Sequence, residues 1–472
     1  MLALYFLLRG TRARNGLLLA ASLFFYAWGE TGYLLVLLLS IAINYLFGHW
    51  IDRSRGGARG RRVLGVAVGA NLLLLLAAFK YANFTVDNLN LLLIGVEVPP
   101  VELAPVHLPI GISFFTFQAL TYLVEVYRRD APAQRNPLRV ALYIALFPQL
   151  IAGPIVRYRE IASQLAQRTS RIDEIAEGAR RFVLGLGKKV LVANTLALPA
   201  DRIFAIPAAE LATPVAWLGL TCFTLQIYFD FSGYSDMAIG LGRIFGFRFP
   251  ENFDHPYTSR SLREFWRRWH ISLSTWFRDY LYIPLDGSRR SPARTSLNLA
   301  LVFLLCGLWH GASWNFVIWG ALHGAFLALE RGRFGAWLAR GPRGLQHLYT
   351  LAVVALAWVF FRADTLPEAL SYLGSLLGSG AGAAEAVAHP LALYLDATVA
   401  FALAVAVLGS APWYRGCLRA LARRGADPER SGAAWTRAAF GLAQVVCLNA
   451  LLLLCAMALA AGTHNPFIYF RF

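Results

Sequence analysis

Charge is scarce in this sequence. Only 15% of its 472 residues are Asp, Glu, Lys or Arg, while 57% are hydrophobic. Soluble globular domains carry about 25% charged residues, so that class is excluded. Long polar linkers are also missing, which argues for a single membrane domain over residues 1–472. Cysteine is limited to five. Cys222, Cys306, Cys447 and Cys455 fall in apolar runs and Cys417 in a basic stretch. That spacing excludes a zinc site or a disulfide framework, so no metal is expected. A cleavable signal peptide is not expected, because the apolar opening 2–8 is short and its positive charges follow it. No internal repeat is visible, which argues against a transporter built from inverted repeats.

What is present is a succession of apolar runs: 17–28, 33–50, 63–79, 108–126, 140–156, 182–198, 215–231, 297–308, 314–329, 349–361, 391–408 and 439–460. They predict an all-α polytopic membrane protein of about eleven spans, with one or two runs re-entrant or interfacial. The net charge of +17 is unevenly placed. Basic clusters at 9–14, 53–62, 128–139, 157–189, 260–294, 331–343 and 415–437 alternate with loops poor in Lys and Arg at 29–32, 85–106, 201–212 and 363–390. The positive-inside rule puts the clusters in the cytoplasm. It also disfavours the alternative of a nucleic-acid patch. The stretch to about Phe79 reads as plain membrane packing, 81–102 as an exterior loop, and 374–388 as a Gly/Ala/Ser-rich exterior loop. The core, about 109–330, holds nearly all the buried polar residues.

The segment LWHGASWNFVIWGALHG, 308–324, places His310 and His323 in apolar surroundings, with Asn315 and Trp319 between them. An imidazole in hydrocarbon is unfavourable and marks function more often than packing. A helix break is expected at Gly311, with Ser313 capping a new helix from Trp314. His323 then falls near mid-membrane. A neutral histidine there suits a general base for a hydroxyl nucleophile. The plain alternative is a core histidine bonded to a backbone carbonyl.

Three further motifs are polar where packing alone would not require it. YFDFSGYSDMAIG, 228–240, holds Asp230, Ser232, Tyr234 and Asp236. Each carboxylate needs a partner. Either they orient a histidine or bind an acceptor, or they hold a broken helix open. The stretch 252–285 mixes Arg267, Arg268 and Arg278 with aromatics, beside Trp269, His270 and Asp279. Ser261 and Glu264 fit a capping box there. It is either an interfacial anchor or a site for a phosphate-bearing cytoplasmic donor. PIGISFFTFQ and FPQLIAGPIVRY, 109–118 and 147–158, carry helix breakers and the amides Gln118 and Gln149. Broken backbone in a membrane lines a cavity or is covered by protein.

Together these five motifs, in this order, resemble the membrane-bound O-acyltransferases, and within them the alginate O-acetylation branch. The resemblance covers most of the chain, about 17–362. It implies a helical bundle around a cavity or tunnel. It implies acyl transfer with acetyl-CoA as donor substrate, reached from the cytoplasm, and no bound cofactor. It implies a bacterial inner-membrane protein that works with membrane lipid, a polysaccharide acceptor and a periplasmic SGNH/esterase-like transferase, and with no nucleic acid. The family's essential histidine falls on His323 and its second motif histidine on His310. A further hydrophobic segment is expected ahead of Arg9, where this chain has only a stub. Asp286 and Cys306 stand where the resemblance predicts glycine. Two alternatives stay open. One is a different donor, such as D-alanyl from a carrier protein to teichoic acid. The other is a proton-coupled transporter or channel.

Overall fold

The computed structural model describes residues 1–54, 57–379, 388–413, 433–462 and 467. Cys417, most of the basic stretch 415–437 and the centre of the loop 374–388 lie outside them. Helices are the one regular element of the described residues, joined by turns and extended segments, with no strand among them.

Six of the apolar runs become helices long and apolar enough to cross a bilayer: Thr31–Arg53, Gly57–Gly95, Ile172–Phe204, Pro292–His310, Arg343–Arg362 and Ala438–Ala460. The chain is therefore a multi-pass membrane protein. The elements used below are α1 (Thr11–Gly29), α2 (Leu34–Arg53), α3 (Gly57–Gly95), α4 (Ile112–Arg128), α5 (Pro137–Ala145), α6 (Ile172–Phe204), α7 (Thr213–Ile244), α8 (Leu262–Arg268), α9 (Ile271–Phe277), α10 (Pro292–His310), α11 (Trp314–Arg331) and α12 (Arg343–Arg362).

Three expectations are corrected. The exterior loop read over 81–102 is helical as far as Gly95. Its asparagines suggest a loop, but Asn88 bonds Phe84 O one turn back, at 2.7 Å, and Asn83 and Asn90 tie down the extended segment that follows. The motif 228–240 does not break its helix: α7 runs unbroken for 32 residues. Conversely, the run 140–156 is not one helix, because α5 stops before Pro148, which cannot continue it.

The freed backbone of that break is covered by protein. Phe147 N–H bonds Ser22 Oγ at 3.1 Å, and Ile155 N–H bonds Ser272 Oγ at 3.0 Å. Gln149 donates to Tyr143 O at 2.7 Å and so braces the turn. Gly111 has φ +76 and sits so close to Leu150 O that a Cβ would lie 2.7 Å from it. Only glycine meets both demands easily.

Between membrane helices packing, not hydrophobic exclusion, supplies the attraction, so small residues let backbones approach. Gly178 and Gly185 of α6 face Gly240 and Gly233 of α7, where each added Cβ would meet the opposing carbonyl within 2.8 Å. α10 and α11 form an antiparallel pair that closes through Gly307 and Gly320. Polar pairs add specificity: Asn44 of α2 and Asn71 of α3 exchange amide bonds at 3.0 and 2.8 Å.

Candidate active site

The turn between α10 and α11 puts both histidines of the motif into one aromatic cluster. α10 ends at His310 and α11 begins at Trp314, as the break at Gly311 predicts. Ser313 occupies the cap position, but its side chain makes no capping bond. His323 is nine residues into α11, about 14 Å along it. It is 1% exposed. Trp319, one turn above, stands between the histidines, with ring centroids 5.0 Å from His310 and 4.8 Å from His323. α12 closes the far side with Trp358 and Phe361, both in contact with Trp319.

Trp266 of α8 reaches His323 from the other side. Its indole N–H donates to Nδ1 at 3.3 Å, and the two rings meet edge-on at 5.2 Å. Ser261 caps α8 by accepting from Glu264 N–H at 3.1 Å, as expected. Glu330 adds a second cap that sequence reasoning missed. Its carboxylate accepts from the backbone N–H groups of Leu262 and Arg263 at 2.7 and 3.2 Å. His323 and Glu330 are seven residues apart on α11, hence on one face. α11 therefore grips α8 at two points, one of them the histidine. Replacing Glu330 by Ala removes the acceptor for these helix-end groups, a loss of about 1 kcal/mol for a cap. The expected outcome is a lower melting temperature, with Glu330→Gln intermediate.

A cavity of about 670 Å³ opens beside α8. Its inner wall is apolar, with Trp266, Phe303 and Cys306. Arg263, Arg267 and Arg278 also line it. Arg263 and Arg267 are at least partly open to solvent. Arg278 is engaged by Asp279 at 2.6 Å, and Asp279 also binds Arg157 at 2.6 Å. Burial alone would raise the Asp279 carboxyl, but Arg278 and Arg157 outweigh it and hold it below the usual carboxylate range.

The other expected residues divide. Arg268 points elsewhere: it bonds Glu264 at 2.8 Å and the Asp254 carbonyl at 3.3 Å. Trp269 lies in the aromatic core against Trp358 and Phe265, not on the cavity wall. His270 is fully buried, packed on Phe231 at 4.6 Å and Trp309 at 6.2 Å, on the His310 side. Asn315 ties α11 to the end of α12 through the Ala363 carbonyl at 2.7 Å. Asp236 is held by Arg181 and Lys188 at 2.8 and 2.7 Å, and Asp230 pairs with Lys189. These cations all belong to α6, so the carboxylates clamp α6 to α7. Ser232 and Gln118 are buried, and Tyr234 packs on Phe467 at 4.9 Å.

Lys80 is the polar residue most plainly overlooked. It lies in α3, where the helix widens into π-helical turns over Asn71–Tyr81. Its ammonium donates to the carbonyls of Trp309 and His310, the last of α10, and to Ser113 Oγ. A cation at a helix C-terminus is favourable. A lone lysine ending the run LLLLLAAFK satisfies the same intramembrane-charge argument that singles out the histidines.

The chain is 42% identical to a probable alginate O-acetylase of Pseudomonas putida over 488 aligned residues, covering 100% of this chain and 97% of the relative. A probable alginate O-acetylase of Pseudomonas aeruginosa is 49% identical, covering 78% of this chain and 70% of the relative. A peptidoglycan O-acetyltransferase of Helicobacter pylori is 39% identical, with 79% and 76% covered. The sequence profile described as the membrane-bound O-acyltransferase family spans residues 21–364, the stretch that carries both histidines and the cavity. On that match, and on identity sustained along its whole length, the chain belongs to the membrane-bound O-acyltransferase family.

Proposed function

We propose that this chain is one membrane domain, with its catalytic core over about 109–330, that takes an acetyl group from acetyl-CoA on the cytoplasmic side of the bacterial inner membrane. The acetyl group goes to O-acetylation of an exported, alginate-like polysaccharide, through a periplasmic SGNH/esterase-like partner. The observation that carries this reading is the single wall between the cavity and His323. The cavity has arginines among its lining residues and ends on Trp266, which touches the buried histidine. Guanidinium groups suit the phosphates of the donor, and the apolar wall suits its uncharged arm. The alginate O-acetylase names of the relatives support the acyl group and the acceptor.

In this mechanism the acceptor hydroxyl gives its proton to His323 as its oxygen attacks the thioester carbonyl. The carbon–sulfur bond then breaks and the thiolate leaves. His310, on the opposite side of Trp319, positions the acceptor. Its electrostatic neighbours are His270, Lys80 and His323.

The experiment uses the protein in vesicles, with radiolabelled acetyl-CoA added on the side of the basic loops. Label is expected on the polymer or the periplasmic partner. Arg267→Ala should raise the KM for acetyl-CoA about tenfold, the size of one charge-assisted contact, with less effect at high salt. Transfer from an acyl carrier protein but not from acetyl-CoA would overturn the donor assignment. Solute flux without any donor would overturn the enzymatic reading.

A further inference from the structure

The donor cavity and His323 share two residues, Trp266 and Phe303, of which only Trp266 bonds the imidazole. Trp266 lines the cavity and donates its indole N–H to His323 Nδ1 at 3.3 Å. An indole nitrogen can only donate. Nδ1 must therefore present a lone pair, and the neutral imidazole carries its one proton on Nε2. Nε2 is buried, and no described residue bonds it. The ring is also held in place from three sides, by Trp266, Trp319 and Phe303, at centroid distances of 5.2, 4.8 and 6.3 Å. A flipped ring would set a C–H against the indole N–H and leave that donor buried and unbonded, which is unfavourable.

We propose that Trp266 is a positioning residue: it fixes which nitrogen of His323 holds the proton and turns the basic one, Nδ1, toward the donor cavity. This rests on the reading of His323 given above. Nδ1, and not Nε2, is then the nitrogen that takes the acceptor's proton. The indole N–H must yield its place for that, and a thioester entering beside Trp266 provides the displacement. The acceptor O–H bond breaks as N–H forms at Nδ1. The new oxygen–carbon bond forms, the carbon–sulfur bond breaks, and the leaving thiolate takes the proton from the imidazolium. Nε2–H keeps its proton throughout. No other reactant is consumed.

The full-length protein in lipid discs, with nitrogen-15 histidine, reads the tautomer directly, and His323→Gln assigns the signals. The expected result is one neutral form of His323 with Nε2 protonated and Nδ1 bare. The opposite tautomer, or an even mixture, would overturn the proposal. Trp266→Phe keeps a ring and deletes the N–H. It should lose the single tautomer, shift the pH profile of transfer and lower kcat about tenfold, with a smaller change in donor KM. A Trp266→Phe protein that keeps the wild-type tautomer and kcat would overturn the proposal as well. If that variant does not fold, the tautomer of the unaltered protein still decides. Full activity of His323→Ala would instead remove the underlying reading, whereas an inactive His323→Ala with the opposite wild-type tautomer removes only this inference.

Discussion

His323→Ala is expected to reduce polymer acetylation by at least about a hundredfold, the lower end of what a positioned proton acceptor supplies. The protein should still insert and accumulate. The substitution removes a ring that is 1% exposed and that bonds Trp266, so a modest loss of stability accompanies it. Two measurements separate the effects. Membrane abundance and melting temperature report the fold; turnover with acetyl-CoA reports the chemistry. A variant with normal abundance and normal acetylation would end the assignment of His323. His310→Ala should cost less, because His310 lies across Trp319 from the cavity side.

Gly320→Val is the second large effect. Gly320 faces the backbone of α10 so closely that a Cβ would lie 2.2 Å from the Phe303 carbonyl oxygen. The reciprocal contact, Gly307 against the Phe316 carbonyl, allows 2.1 Å. Backbone on both sides cannot yield as a flexible side chain could, so the helices must part. Overpacking of this kind costs about 1–3 kcal/mol. His323 is three residues on, less than one turn away, and moves with its helix. A misplacement of about 1 Å can cost a hundredfold in rate. The expected outcome is a lowered melting temperature together with a drop in turnover of about that size, and the cavity wall shifts with it because Phe303 is one of its residues. Gly344→Ala serves as control, since a Cβ there meets nothing within 4 Å. Wild-type stability and turnover in Gly320→Val would show that the α10–α11 contact is looser than the structure has it.

The histidine motif is readable in the sequence because a ring nitrogen is conspicuous among aliphatic and aromatic neighbours. The same argument applies to Lys80, but Lys80 ends an apolar run and looks like a boundary charge. Glu330 looks the same. It is followed by Arg331 at the end of α11, as an ordinary interfacial glutamate would be, yet its carboxylate caps a helix 67 residues away in sequence. Arg268 illustrates the converse error. It adjoins Arg267 in sequence, and helical geometry turns adjacent residues about 100° apart, so one lines the cavity while the other meets Glu264. Asp230 and Asp236 have the partners that buried carboxylates require, but those partners lie on α6, beyond any local pattern.

The sequence by itself determined the membrane environment, the helix break at Gly311, the burial of His323 and the family. Each follows from local chemistry: apolar length, a helix-breaking turn, an imidazole in hydrocarbon, and motif order. Only the tertiary structure decided which arginines meet the cavity, that Trp266 stands between it and His323, and that Lys80 and Glu330 secure the helix ends around the site. Those facts depend on which faces of distant helices come together, and periodicity along one helix carries no information about its neighbour.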